Sequence, residues 1–470
     1  MSEPFPAHPF FSGNYAPISF EADAPDLPVR GEFPKELAGT LYRNGPNPQF
    51  APRDANHHWF IGDGMIHAFH VGNGRVSYRN RWVQTPKWQM EHAAGRALFG
   101  SWGNPATSDP SVHGKDGGVA NTNIVWHAGK LFALEEAHRP FALDPETLAS
   151  QGYWDFAGAF TGARFTAHPK IDPETGELIF FAYAAAGFFS PTLAYGVIDG
   201  KGTLRRFDQF QAPYASMVHD FLVTRNYVLF PVLPLTGSME RAVSGKPAYA
   251  WEADRRSYVG VMKRDADVSS IRWFESDPCY VFHPMNAYED GDKIVGDVMQ
   301  YEAAPLFPDA DGCPGDPAKA VARLTRWTFD LAANTDAFKR ERIDDLVGEF
   351  PRFDERLAGL AYHHGFFAAS SDKAFVDRFD TLAHIDLKAN KRSAYQVPKG
   401  DAVSEPIFVP RAAEAAEGDG YLLATIYRAA ENRSDLAVFD ATALQRGPLA
   451  LAELSHRVPF GFHGNWRPAA

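Results

Sequence analysis

Cysteine is nearly absent: Cys279 and Cys313 are the only two in 470 residues. Two cysteines cannot make the multi-bridge framework of a small secreted fold, so a reducing cytoplasm is the expected setting. Runs rich in Lys and Arg are lacking too, and the formal net charge is -12. Nucleic acid is therefore not an expected partner. No stretch reaches the roughly 18 apolar residues of a membrane span. The opening MSEPFPAHPFFSGNYAP has no basic segment followed by an apolar one, so no signal peptide is expected. Long amphipathic helical patterns are scarce; the two short candidates are MEHAAGRALFG (90–100) and DPAKAVARL, which starts at Asp316. The words GNGRV and GDGM lie outside any βαβ context and read as turns, so no dinucleotide site is expected.

What the chain does hold is aromatic residues, at 14%, and repeated hairpin signals. IVWHAGKLFAL, AYGVIDGKGTLRRF, AYEDGDKIVGDVM and FHVGNGRVSY each read as strand, turn, strand. SMVHDFLVTRNYVLFP reads the same way, which puts His219 and Asp220 inside its first strand. Glycine and proline are spread throughout and no linker stands out, so residues 1–470 are expected to form one all-β domain. Length favours a β-propeller over a sandwich. The apolar stretches 96–102 and 180–196 read as core strand and loop, or as a greasy entrance that touches a membrane or an apolar substrate.

Of 17 histidines, His168 (FTAHPK), His219 (SMVHDF), His283 (YVFHPMNAYE) and His463 (GFHGNW) each sit beside an apolar or aromatic run near a strand end. They lie too far apart in sequence for a zinc-finger spacing. A propeller can bring distant residues to its axis, and four neutral imidazoles there would suit a borderline metal: Fe, Zn, Cu or Ni. Spacing alone does not separate these four from the others. The words around them do.

Those words resemble the carotenoid cleavage oxygenase family, in particular the bacterial branch that includes lignostilbene dioxygenases. The resemblance starts at GEFPKELAGTLYRNGPNPQF and continues through FIGDGMIHAF, ANTNIVWHAGKLFAL and TAHPKIDPETGEL. It runs on through MVHDFLVTRNYVLFP, FHPMNAYEDGD, EFPR, SEPIFVP and HGNW, in family order over nearly the whole chain. It implies a seven-bladed β-propeller with a cap of loops and short helices over the active-site face. It also implies one Fe(II) per chain, held by His168, His219, His283 and His463. By the same motif match, Glu136 (FALEEAHRP), Glu349 (GEFPR) and Glu405 (SEPIF) orient the ligand rings, and Thr122 (ANTN) partly shields a coordination position. Carboxylates behind four neutral ligands make chemical sense, because they offset the ion's charge and fix each ring through its other nitrogen. For Asp220 the expected part is to orient or cap nearby backbone.

The implied reaction is oxidative cleavage of a C=C bond, with O2 as co-substrate and no organic cofactor. Stilbene-cleaving relatives hold a phenolic hydroxyl with a tyrosine and a lysine; at those positions this chain has Trp102 and Glu135. A carboxylate there would repel a phenolate. Phe60 (HHWFIGDGM) is kept for stacking, and Phe307 (APLFP) is expected to line the same tunnel. The expectation from these departures is a conjugated apolar alkene, apocarotenoid-like first. The alternative is a hydroxystilbene or an isoeugenol-type phenylpropenoid. Rival readings on the same scaffold are an iron-dependent isomerase, a non-catalytic propeller and a zinc hydrolase. Four protein ligands fit the last poorly. The expected place is the cytoplasm, with peripheral contact at the inner membrane.

Overall fold

Tight two-residue turns set the hairpins. Asn73-Gly74 (φ 52° and 74°) joins Gly64–Gly72 to Arg75–Trp82, and Ala128-Gly129 (φ 48° and 77°) joins Asn123–His127 to Lys130–Leu134. Left-handed backbone at both turn positions matches the right-handed twist of the paired strands. In this computed structural model, residues 3–53, 57–101, 104–372 and 379–469 are described. The chain divides into two compact units: Met1–Gly158 with Val397–Ala470, and Ala159–Gln396.

The first unit holds three antiparallel sheets. One runs Ala22–Ala24, Arg75–Trp82, Gly64–Gly72, Gly39–Pro46, Gly464–Pro468, so that a late strand pairs with an early one. A four-stranded sheet spans Asn123–His127 to Ser150–Tyr153, and a six-stranded sheet is built on Gly420–Arg428 and Arg433–Asp440. Leu41, Phe69, Val71, Leu423, Leu436 and Val438 form one buried core of this unit.

The second unit holds two four-stranded sheets, starting at Lys170–Ile171 and Leu222–Val223, and the small hairpin of Leu235–Gly237 with Tyr249–Trp251. A seven-stranded sheet runs in sequence order from Tyr280–Asp290 to Lys391–Gln396. Its 15-residue strand Lys339–Phe353 is long enough to serve two blades. With that sheet counted as two and the two-stranded hairpin set aside, the described residues hold seven sheets, in agreement with the expected all-β, seven-bladed propeller class.

Two expected helices differ. The observed helix is Pro86–Ala94, capped by Thr85 and with Pro86 in its first turn; Gly95 ends it at φ 66°. Only the first half of 90–100 is therefore helical, because glycine takes the left-handed cap where the expected helix continued. DPAKAVARL makes a turn, closed by the Lys319 N–H on the Asp316 carbonyl, and no helix. His219 and Asp220 also lie outside the strand expected to hold them, which covers only Leu222–Val223. The Asp220 carboxylate accepts the Phe221 N–H at 2.7 Å, a local bond that competes with ladder pairing.

Candidate metal centre

Irregular backbone carries most of the candidate ligands. His168 lies two residues before Lys170–Ile171, and His463 lies directly before Gly464–Pro468. His283 is inside Tyr280–Asp290, where the pairing register shifts on both sides of Pro284. Proline has no N–H for the ladder, so a bulge falls there and re-aims the neighbouring side chain. All four histidines are buried.

In the second unit three of them converge. Nε2 of His168 is 3.0 Å from Nε2 of His219, and Nε2 of His219 is 3.1 Å from Nε2 of His283. Two nitrogens each about 2.1 Å from one ion and at right angles to each other stand about 3.0 Å apart. The outer nitrogen of His283 meets a carboxylate: Nδ1 is 2.5 Å from Oε2 of Glu349. Glu349 is itself fixed, its Oε2 accepting the Phe350 N–H at 2.7 Å and its Oε1 the Tyr301 hydroxyl at 3.0 Å. Burial, and then the Glu349 charge, push the Tyr301 hydroxyl well above its ordinary pKa, so it stays a donor. Phe350 takes a left-handed φ of 54° and stacks on His283 with centroids 5.3 Å apart. Such strain in a bulky residue clusters at functional sites. A proton on Nδ1 facing Glu349 leaves the Nε2 lone pair turned into the cluster. Buried imidazole nitrogens 3.0 Å apart need a proton or a cation between them, and with Nε2 of His283 left as a lone pair the donor set fits a metal ion.

The first unit fixes His463 from every side. Its Nδ1 is 2.9 Å from Oε1 of Glu405, and the other carboxylate oxygen accepts the Gly464 N–H at 2.7 Å. Its backbone N–H donates to the Thr122 carbonyl and its carbonyl accepts from the Asn44 N–H. Thr122 thus touches the His463 segment through its backbone, while its hydroxyl donates to Asn121 Oδ1 at 3.0 Å. Phe462, one residue before His463, packs edge-on against Phe60 at 5.7 Å and against Trp59 at 4.3 Å. Asn121 holds the Phe60 and Gly62 carbonyls, both at 2.7 Å. Together the four buried histidines form a candidate metal site.

The remaining expected residues are placed as follows. Glu136 is half-buried just after Lys130–Leu134, and Phe307 is buried in the loop after Lys293–Tyr301. Trp102 lies outside the described residues. Glu135 is buried and accepts the Val119 N–H at 2.9 Å, with His138 Nδ1 at 2.7 Å. Burial raises the Glu135 pKa, but His138 and the Val119 and Ala120 N–H groups outweigh it and hold the carboxyl below its ordinary value. Asp220 does cap backbone, as expected, and also binds Lys170 at 2.8 Å. Burial pushes its carboxyl up, against the pull of the Lys170 ammonium. Sequence reasoning missed Tyr301, Phe350, Phe462, Asn121 and Lys170. Lys170 stands in a quoted motif; nothing in the sequence marks Tyr301.

The sheets and the histidine cluster define an all-β protein with a candidate metal site, and comparison with known proteins supplies the class. The model of the RPE65 family, retinal pigment epithelial membrane protein, matches residues 15–468, and the chain belongs to this family, that of the carotenoid cleavage oxygenases. It is 42% identical over 470 residues to an isoeugenol monooxygenase of Pseudomonas nitroreducens, covering 98% of each chain. It is 39% identical over 484 residues to the lignostilbene-alpha,beta-dioxygenase isozyme III of Sphingomonas paucimobilis, covering 99% of this chain and 98% of that one. The crystal structure of a Pseudomonas brassicacearum lignostilbene dioxygenase superposes with a TM-score of 0.95 at 38% identity, covering 100% of both chains. The chain is an enzyme, an oxidoreductase of the oxidative-cleavage class. Among the described residues no helix is long and apolar enough to cross a membrane.

Proposed function

We propose that this chain is a non-haem Fe(II) dioxygenase that cleaves the side-chain double bond of a 4-hydroxyphenyl alkene, an isoeugenol-type phenylpropenoid or a hydroxystilbene. The observation that carries the reading is the end-to-end match to an isoeugenol monooxygenase and a lignostilbene dioxygenase. It reverses the order of the two substrate expectations and puts the apocarotenoid second. In this reading one iron is held by His168, His219, His283 and His463. Glu349 and Glu405 orient two of the rings, Glu136 serves a third, and Thr122 flanks an open position. The whole of 1–470 is read as one catalytic domain, which the single family match over residues 15–468 supports.

An iron ion held by these histidines would supply the activation of O2. In the overall reaction the C=C and O–O bonds break, two C=O bonds form, and no external reductant is needed. The protein's part is to position and shield the substrate. Phe60 and Phe462 offer flat apolar faces beside His463, suited to an aromatic ring. Phe307 completes the assigned lining. Glu135, pinned by Val119 and His138, disfavours a phenolate and accepts a hydrogen bond from the hydroxyl of a neutral phenol. Substrate is thereby held as phenol rather than phenolate.

The test is product mass spectrometry. The Fe(II)-loaded chain is given O2 with isoeugenol, a 4-hydroxystilbene and an apocarotenal in parallel. Ring-bearing aldehydes from either phenol support the proposal; aldehydes from the apocarotenal alone overturn it. O2 uptake measured alongside separates cleavage from isomerisation, which consumes none.

Peripheral membrane contact would draw on exposed apolar side chains of the second unit, among them Phe188 (73% exposed), Val243 (77%) and Leu306 (51%). Co-sedimentation with anionic liposomes is expected to fall for Phe188→Ser with Val243→Ser. Absence of binding by the parent chain would remove this part of the reading.

A further inference from the structure

We propose that the Lys170–Asp220 ion pair positions His168, with the Asp220 carboxylate acting on that ring through its charge where Glu349 acts on His283 by a direct contact. The inference rests on the metal reading above. The His168 ring lies between the histidine cluster and a carboxylate. Its Nε2 faces Nε2 of His219 at 3.0 Å, and its Nδ1 faces Oδ2 of Asp220 at 3.7 Å. That carboxylate is buried and cannot swing, because Lys170 Nζ reaches its two oxygens at 2.8 and 3.0 Å and the Phe221 N–H binds Oδ1 at 2.7 Å.

The arrangement is reciprocal. Residues 168–170 supply one ligand and the ammonium, and residues 219–220 supply a second ligand and the carboxylate. The ion pair therefore ties two ligand segments together. A buried carboxylate without a cation would be destabilising, and Lys170 offsets its charge. At 3.7 Å the carboxylate acts on His168 by its field rather than by a tight hydrogen bond. Its negative charge favours the tautomer with the proton on Nδ1, which leaves Nε2 to the ion. Lys170 also lines a cavity of about 50 Å³ with Phe221, Pro284 and Met285, each one or two residues past a candidate ligand. The Lys170 side chain is 29% exposed there, so it can be changed without opening the core.

The experiment uses the full chain stripped of metal and titrated with Co(II) against a competing chelator, with visible absorption read for ligand geometry and far-UV circular dichroism for fold. Asp220→Asn and Lys170→Met are expected to weaken Co(II) binding roughly ten- to a hundredfold and to shift the absorption bands. Lys170→Arg, which keeps the charge, is expected to restore both. A folded Lys170→Met with parent affinity and parent bands overturns the proposal, whatever Asp220→Asn does. Equal losses in Lys170→Met and Lys170→Arg overturn it as well. If the parent chain itself takes up neither Co(II) nor Fe(II), the metal reading has failed, and that outcome is distinct from a parent that binds and variants that bind equally well.

Discussion

His67 shows how burial alone writes a pH dependence into one residue. It sits within the sheet of the first unit with Nδ1 2.7 Å from the Tyr78 hydroxyl. Burial, then His456 and Arg43, depress its pKa to about 3. In the unfolded chain it titrates near 6.5. Below that value the unfolded state binds a proton that the folded state refuses, so stability is present above about pH 6.5 and is lost as pH falls toward about 3. At pH 5 the loss from this residue is about 2 kcal/mol. His384, with its pKa depressed to about 4 by burial and then by His364, adds in the same direction. His67→Gln is expected to flatten the drop in urea midpoint between pH 7 and pH 5. An unchanged drop would assign the acid sensitivity elsewhere.

At the scale of elements, the candidate ligand His463 depends on a crossing of two backbones. Gly45 and Gly461 approach so closely that a Cβ on Gly461 would stand 2.7 Å from the Asn44 carbonyl. Gly461→Ala is expected to cost about 1–3 kcal/mol by overpacking and to lower metal content by displacing the segment that ends in His463. Full metal content with a lowered melting temperature would show that His463 tolerates the shift. Elements were also where the sequence was most legible. Hairpins with Asn-Gly or Ala-Gly turns could be read directly, because the glycine takes the positive φ of the tight turn at no steric cost. The end of helix Pro86–Ala94 could not, because Gly95 also fits a continuing apolar pattern. His219 and Asp220 were read into a strand because the apolar period continues through them, and a carboxylate bonding its neighbour's N–H leaves no periodic trace. The four histidines needed the flanking words to be singled out. Tyr301 was invisible, since its partner Glu349 comes 48 positions later and only folding brings them together.

For the whole molecule, an ion bound by the folded state and not by the unfolded one adds stability by mass action. Removing iron with a chelator is expected to lower the thermal midpoint, and added Fe(II) under anaerobic conditions to restore it. The same scan on His219→Ala is expected to show no response to metal. A parent midpoint indifferent to both treatments would argue against a bound metal.

The pairing of Gly39–Pro46 with Gly464–Pro468 has a kinetic side. Tyr42 and Arg467 meet across 425 positions of chain. Closing so long a loop is entropically costly, and contacts of such separation form late in folding. Until then the strand Gly39–Pro46 presents an open edge, a template for a second chain as much as for its own. Slow synthesis at low temperature therefore favours correct closure, and crowded expression favours aggregates joined at that edge.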